Sequence, residues 1–253
     1  MHELLAWQYA AIALIFVWSG FVRSGLGFGG AVLSLPFLLL ILDDPIVWLP
    51  IIAVHLLFFS ALIMFNSHRS GDGANIDWAY LKSSLKIMLI PKAIGVLGLL
   101  TLPASIMSAL VFTIVIVYST GYVLNRPFRS ASPWADRAFL AMGGYVSGTS
   151  LIAAPLIMAV YSTHVPREKL RDTLFVLWFI LVSIKMVSFM ALDVDLQLIH
   201  HLWLLPAAFV GHLLGERLHR RLLSTDSVRF YRILGTVLLA VSAVGMARTL
   251  LSA

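Results

Sequence analysis

The sequence lacks cysteine and has few charged residues, and both shortages narrow the class of protein. None of the 253 residues is cysteine, which excludes a disulfide, a thiolate metal site and a cysteine nucleophile. Charged residues make up 12% of the chain, which is too few to cover a water-facing surface. Hydrophobic residues make up 60%, and the mean hydropathy is +0.94. We therefore expect an all-α polytopic membrane protein.

The common sequence motifs of nucleotide-driven pumps and hydrolases are also missing. The chain contains no P-loop, no HExxH and no GxSxG. We therefore expect no enzyme activity, no cofactor and no metal. The net charge of +6 does not indicate a nucleic-acid partner, because the basic residues lie in short connections between apolar runs.

Two glycine-rich segments, residues 20–45 and 139–164, share one pattern. Each has a cluster of small residues, then a proline seven positions after the last shared glycine (Gly29 to Pro36, Gly148 to Pro155), then an apolar run. In so apolar a chain, this repeat predicts two related halves, each with a helix broken at membrane depth. The alternative is that these glycines only permit close helix packing.

The repeat divides the chain into two predicted halves. Residues 1–125 form the first repeat, 126–137 form a cytoplasmic linker, and 138–253 form the second repeat. Each half is predicted to begin with a broken helical hairpin, over 4–42 in the first and 138–161 in the second. A continuous helix over the first of these segments would be about twice as long as a bilayer core is thick.

Three full spans are predicted to follow each broken hairpin. The first interruption is placed at 24–30, and a separate interfacial helix is expected over 76–86. The predicted spans are 45–65, 85–102 and 104–124 in the first half, and 170–192, 198–216 and 228–251 in the second.

Lysine and arginine are concentrated in alternate connections. The positive-inside rule places these basic connections in the cytoplasm and the connections without them outside. This arrangement predicts halves of inverted topology, re-entrant broken segments, both termini outside and a location in the cytoplasmic membrane. The basic connections are 66–86, 125–137, 164–172 and 217–232.

The predicted breaks suggest a binding site for a small anion. A helix that starts near Gly29 or Gly148 would point unpaired N–H groups and roughly half a positive charge into a cavity. Two such N-termini, from inverted halves, would hold the anion near the midplane of the bilayer, with nearby hydroxyl groups as further donors. The predicted substrate-binding residues are Ser24, Gly25, Gly27, Gly29, Gly30, Gly144, Ser147, Gly148, Thr149 and Ser150.

The first motif, GLGFGGAVLSLPFLL, and its weaker second copy resemble the TauE/SafE family of membrane transporters. The resemblance covers essentially the whole chain, and it implies transport of sulfite or an organosulfonate across the cytoplasmic membrane. Thr149 and Ser150 stand where the family pattern has glycines, and Ala31 stands where a further glycine is common. The matching residues are Gly27, Gly29, Gly30 and Pro36 in the first copy, and Gly144, Gly148 and Pro155 in the second.

Ionisable residues within apolar runs are costly and are therefore candidates for gating or charge pairing. Arg23 precedes the first break and either pairs with the anion or extends to the membrane interface. His55 is either a hydrogen-bonded core residue or a proton-coupling group. Lys92 and Lys185 either face the cavity or lie at an interface.

Three residues on one helix face, His212, Glu216 and His219, have spacing that suits a metal ion. Their position beside several arginines favours a solvated helix end instead.

The sequence leads to one function and leaves alternatives open. We predict a secondary transporter for a small sulfur-containing oxyanion. An anion channel of the same architecture is the main alternative, and an intramembrane enzyme or a scaffold subunit is less favoured. The expected partners are the anion and the lipid bilayer, and a homo-oligomer is left open.

Overall fold

The computed structural model describes residues 4–26, 29–69, 76–126, 128–222 and 227–252. Within these ranges the ordered elements are helices, and no strand is present. The helices are α1 (Ala6–Leu26), α2 (Leu35–Ile41), α3 (Pro45–Arg69), α4 (Trp78–Thr101), α5 (Ala104–Val123), α6 (Pro133–Thr149), α7 (Ala154–His164), α8 (Arg167–Ala191), α9 (Leu198–Leu222) and α10 (Ser227–Ser252).

Seven of these described helices are long and apolar enough to cross a membrane. A helix satisfies its own backbone hydrogen bonds, which is why apolar runs of this length adopt it in lipid. The prediction of an all-α polytopic membrane protein is therefore confirmed. The seven helices are α1, α3, α4, α5, α8, α9 and α10.

The chain forms two compact units, each made from separate parts of the sequence. The first consists of Met1–Trp48, Pro103–Pro127 and Gln197–Ala253, and the second of Leu49–Leu102 and Phe128–Leu196. In the first unit, α1 lies along α9 and α5 lies along α10, while α2 contacts α1, α5 and α10. In the second unit, α4 lies along α6, and α7 and α8 pack against α6.

Each unit therefore takes helices from both predicted repeats. A compact unit and a sequence repeat are different divisions of a chain, so the repeats over 1–125 and 138–253 stay a prediction. The inverted topology of the two repeats stays a prediction in the same way.

Small residues bring α1 and α9 into close contact in the first unit. A Cβ atom on Gly211 would lie 1.8 Å from the carbonyl oxygen of Val17, and one on Gly20 would lie 2.0 Å from that of Ala208. No side chain fits at such distances, so the backbones touch directly.

The two breaks lie later in the chain than the sequence suggested. Helix α1 continues to Leu26, so the predicted interruption at 24–30 begins too early, and Ser24 and Gly25 are helical. Helix α6 continues to Thr149, so the predicted helix start near Gly148 is wrong.

Proline marks the true helix starts. Helix α2 begins at Leu35 and α7 at Ala154, and each has a proline in its first turn, Pro36 and Pro155. Proline fits there because the first-turn N–H groups have no partner within the helix.

Two smaller boundaries also differ from the prediction. The separate interfacial helix over 76–86 is instead the beginning of α4, where Asp77 accepts a hydrogen bond from the N–H of Tyr80 at 2.9 Å. The predicted linker over 126–137 includes the start of α6, where Ser132 accepts from the N–H of Ala135 at 3.2 Å. In both places an oxygen-bearing N-cap residue starts the helix.

Candidate functional site

Two buried lysines meet at the C-terminal end of α6 in the second unit. Lys92, from α4, donates to the carbonyl oxygen of Ser147 at 3.3 Å and to its Oγ at 3.1 Å. Lys185, from α8, donates to the carbonyl oxygens of Gly148 at 2.7 Å and Thr149 at 3.1 Å. Both lysine side chains are 0% exposed. Neither lysine therefore extends to a membrane interface, which was one of the two predicted alternatives.

Close packing of α4 on α6 makes this arrangement possible. A Cβ atom on Gly148 would lie 2.4 Å from the carbonyl oxygen of Lys92, and one on Gly144 would lie 2.4 Å from that of Met88. The absence of side chains at these glycines brings the two backbones together. These predicted substrate-binding glycines therefore also serve helix packing, as the packing alternative proposed.

The lysines meet the part of α6 that attracts positive charge. The last carbonyl groups of a helix have no intrahelical partner, and the helix end carries a partial negative charge. The acceptors of Lys92 and Lys185 lie on consecutive residues of α6, so both ammonium groups lie at one end of one helix.

The amino groups at this end of α6 have no acidic partner in the part of the chain that the structure describes. The hydrogen bonds and ion pairs of the described residues give neither Lys92 nor Lys185 a carboxylate partner. Each ammonium has three N–H donors, and each has two neutral acceptors here. A buried ammonium is stable only with a counter-charge or strong hydrogen bonds, so an anion bound at this end of α6 would stabilise the protonated form of both lysines.

The hydroxyl groups at the second break mostly donate to their own helix. Ser147 Oγ donates to the carbonyl oxygen of Gly144 at 3.0 Å, and Ser150 Oγ to that of Val146 at 3.1 Å. Thr149 Oγ1 also donates to Val146, at 3.2 Å. Such bonds are usual for serine and threonine in helices. The predicted role of these hydroxyls as donors to the anion stays a prediction.

The second break itself is a short turn between α6 and α7. Leu151 has a φ of 60°, which places it in the left-handed region and ends α6. Helix α7 then starts with its first-turn amides and the partial positive charge of a helix N-terminus. An anion near this break would therefore lie close to both kinds of positive charge, the ammonium groups and the amide groups.

The first break has a different set of polar groups, all within the first unit. Arg23 is 2% exposed, and its Nη2 donates to Ser19 Oγ at 3.3 Å. Ser19 Oγ donates to the carbonyl oxygen of Gly30 at 3.2 Å, and Ser34 Oγ donates to the same oxygen at 2.5 Å. Arg23 therefore folds back along α1 beneath the turn and does not extend to solvent.

The glycines of the first break have separate roles. Gly29 has a φ of +88°, a conformation that favours glycine. Gly25 lies within α1 beside α9, where its Cβ would be 3.6 Å from the carbonyl oxygen of Gly215. Ser24 is buried and hydrogen-bonded to His212 Nδ1. Gly27 lies outside the described residues.

Comparison with known proteins decides the family. A family model described as Sulfite exporter TauE/SafE matches residues 12–246, nearly the whole chain. The chain belongs to the TauE/SafE sulfite exporter family. No curated protein and no solved structure matches it. The resemblance carried by the glycine motifs is confirmed, and this is a transporter family and not an enzyme family.

Membership in TauE/SafE also fixes the general activity. The family implies a membrane exporter of sulfite or a related sulfur anion. The apolar helices agree with this assignment, since they describe a multi-pass membrane protein.

Two other candidate groups of this TauE/SafE transporter are the histidines His55 and His212. His55 is fully buried in α3, and its coupling role stays a prediction. His212 Nε2 lies 3.6 Å from Glu216 Oε1, and the side chain of His219 lies outside the described part. Among the described residues, no three His, Cys, Asp or Glu side chains are placed to hold a metal ion.

Sequence reasoning missed how these groups are connected. It identified Lys92 and Lys185 one at a time, but not their shared position at the end of α6. It also missed Ser19 and Ser34, which share the carbonyl oxygen of Gly30. The one available signal for the serines was their closeness in sequence to the glycine motif.

Proposed function

We propose that this TauE/SafE protein is a secondary transporter that carries a small sulfur oxyanion, sulfite or an organosulfonate, across the cytoplasmic membrane. The second break, at the C-terminal end of α6, holds the anion. The observation that carries the proposal is the pair of buried lysine amino groups, of Lys92 and Lys185, whose hydrogen-bond acceptors are neutral.

A sulfur oxyanion suits these groups for two reasons. Its oxygens accept hydrogen bonds from several directions, and each lysine has one N–H donor beyond the two already used. Charge-assisted hydrogen bonds between an ammonium and an oxyanion are about twice as strong as neutral ones. The N-terminus of α7 adds amide donors of the kind that bind sulfate and similar groups.

The first break remains part of the proposal as a prediction. The sequence pattern assigns anion contacts to Ser24, Gly25, Gly27, Gly29 and Gly30 and a midplane location to the anion. Arg23 is the charged group at that break, and its burial beside Ser19 keeps a positive charge there. Substitution of each of these residues, followed by measurement of anion affinity, tests its predicted contact with the anion.

The membrane potential favours one direction of anion transport. An inside-negative potential contributes about 2.3 kcal/mol per charge per 100 mV toward expelling an anion. A carrier that moves the anion alone would therefore export it, which agrees with the family description.

Binding and transport assays test the proposal together. Purified protein is screened by thermal shift with sulfite, thiosulfate, sulfate, and aliphatic and aromatic sulfonates, with chloride at matched ionic strength as the control. We expect one or more sulfur oxyanions, and not chloride, to raise the unfolding temperature. In proteoliposomes, the same anion should exchange against an internal pool, since counterflow is a property of carriers. Flux without counterflow would indicate a channel, and the absence of both binding and flux would refute the proposal.

Cysteine labelling tests the proposed topology. Because the chain contains no cysteine, an introduced cysteine is the only thiol that can react. Thr101 and Trp134 are both exposed, in connections expected outside and inside respectively. Thr101→Cys should react in intact cells with a membrane-impermeant maleimide, while Trp134→Cys should react only after permeabilisation. The opposite pattern would reverse the predicted orientation, including that of both termini.

A further inference from the structure

A buried histidine in the first unit connects the first break to the end of a span. His212 in α9 is 3% exposed, and its Nδ1 is hydrogen-bonded to Ser24 Oγ. Its Nε2 lies 3.6 Å from Oε1 of Glu216, whose side chain is 42% exposed. The proposed function gives a role to Ser24 but none to His212 or Glu216.

The position of His212 is set by the close contact of α1 with α9. A Cβ atom on Gly215 would lie 2.3 Å from the carbonyl oxygen of Phe21, so the two backbones approach one turn from His212. The ring of Phe209 lies 5.8 Å from the imidazole. The imidazole is therefore held among packed groups, with one nitrogen toward Ser24 and the other toward Glu216.

The protonation state of His212 determines where the hydrogen of Ser24 goes. In neutral His212 with hydrogen on Nε2, Nδ1 is an acceptor, and the Ser24 hydroxyl donates its hydrogen to it. In the imidazolium form both ring nitrogens donate, so Nδ1–H donates to Ser24 Oγ and Nε2–H points toward the Glu216 carboxylate. The Ser24 hydroxyl hydrogen is then available to another acceptor. One proton is gained by the imidazole, and no other bond is made or broken.

We propose that His212 is a proton-binding site coupled to the transported anion through Ser24. Binding of a proton turns the Ser24 hydroxyl from a donor to His212 into a donor to the anion. The inference rests on the proposed function and on its prediction that Ser24 contacts the substrate. Linkage is reciprocal, so an anion that accepts from Ser24 also strengthens proton binding.

The described charged residues nearest His212 lie on α1 and α9. On α1, the helix packed against α9, the charged residue of the described range is Arg23, whose guanidinium donates to Ser19. On α9, Glu216 is followed by the exposed Arg217. His200 and His201 are also on α9, but their separation of eleven or more residues amounts to about 17 Å along the helix. Among the described residues, Glu216 is the acidic group placed to stabilise a protonated His212.

The consequence is a transporter that carries a proton with the anion. A proton that travels with the anion cancels part of the charge moved, so the direction of transport would then depend on the pH gradient as well as on the potential. The pH gradient would become a second driving force, one that the lysine site alone does not supply.

The experiment measures anion affinity against pH with anions whose own charge does not change. Thiosulfate and methanesulfonate keep one charge state between about pH 5 and 8, the range in which histidine titrates. Affinities are measured by titration calorimetry for the wild-type protein, His212→Gln, Glu216→Gln and the control His200→Gln. His200 is a buried histidine of the same helix, where it accepts a hydrogen bond from Trp203.

We expect wild-type affinity to rise on acidification by roughly tenfold more than that of His212→Gln, because one hydrogen bond to a charged acceptor contributes about that factor. Any response from Lys92 and Lys185 is common to both proteins and does not affect the difference. Glu216→Gln, at a partly exposed position that tolerates substitution, should bind the anion with a reduced pH response. His200→Gln should respond like the wild type.

Each result decides the matter. Equal pH responses in the wild type and His212→Gln would overturn the coupling while leaving the proposed function in place. An unchanged pH response in Glu216→Gln would overturn the assigned role of the carboxylate. If the wild type bound neither these anions nor sulfite at any pH, the proposed function would fail and the coupling with it.

Discussion

Replacement of Lys185 by methionine tests the proposed anion site most directly. Methionine is similar in length and apolar, so Lys185→Met removes the charge and the donors with little change in packing. Lys185 donates to the carbonyl oxygens of Gly148 and Thr149, which leaves one N–H of the protonated side chain for the anion. A hydrogen bond to a charged group contributes about 1.5–3 kcal/mol, so we expect anion affinity to fall roughly tenfold to 150-fold.

Lys185→Met should change the stability of the anion-free protein much less than it changes anion affinity. The variant loses two hydrogen bonds to helix carbonyls, but it also no longer buries a charge that lacks a carboxylate partner. The removed cost of burying the amino group and the two lost hydrogen bonds act in opposite directions, so we expect a change within about 1 kcal/mol. The effect of Lys185→Met should therefore appear as a loss of anion-induced stabilisation, with the unfolding temperature of the free protein nearly unchanged.

The assay is a thermal-shift titration with the anion that stabilises the wild-type protein most. Lys86→Met is the matched control, since Lys86 is an exposed lysine of α4, the helix that also carries Lys92. Lys86→Met should keep the wild-type response. A wild-type anion response in Lys185→Met, or an equal loss in Lys86→Met, would refute the argument that buried ammonium groups bind the anion.

Three further changes test the fold around the breaks by thermal unfolding in detergent. Gly144→Ala, on α6, places a Cβ 2.4 Å from the carbonyl oxygen of Met88, so it should lower the free energy of unfolding by about 1–3 kcal/mol. The control Gly98→Ala, on α4, makes only an ordinary contact and should be neutral or stabilising by up to about 1 kcal/mol. Equal effects would argue against close packing of α4 on α6. Gly29→Ala should lower the free energy of unfolding by about 1–2 kcal/mol, because the φ of +88° at this position strains any residue with a Cβ. No backbone atom blocks a Cβ there, so the effect would come from the backbone conformation alone. An unchanged unfolding temperature would contradict this strain. Asp77→Ala removes the N-cap of α4 and should lower the free energy of unfolding by about 1 kcal/mol. Asp77→Asn keeps a capping oxygen and should retain most of the wild-type stability.

The helices were predictable because each apolar run is long and is bounded by polar residues. The spans predicted over 45–65 and 104–124 correspond to α3 (Pro45–Arg69) and α5 (Ala104–Val123). The breaks were harder to place, because glycine has two roles that look alike in sequence. At Gly29 glycine provides an unusual backbone conformation, while at Gly148 it provides room for a neighbouring helix. Only the tertiary contacts separate these two roles.

The candidate site depended on contacts between residues distant in sequence. Lys92 and Ser147 are 55 residues apart, and Ser24 and His212 are 188 apart. Spacing along one helix gives no information about such pairs. Burial cost did identify Arg23, Lys92 and Lys185 as unusual, since charged groups are rare in apolar spans. It did not determine whether each of them faced the bilayer surface or the protein interior.

The contact of α1 with α9 affects how the protein is made. Val17 and Phe21 face Gly211 and Gly215, so α1 has its closest neighbour in a helix that is synthesised much later. Until α9 has been synthesised, lipid or the insertion machinery must cover the surface of α1 that later contacts α9. Chains that stop before α9 therefore leave this surface without its protein partner.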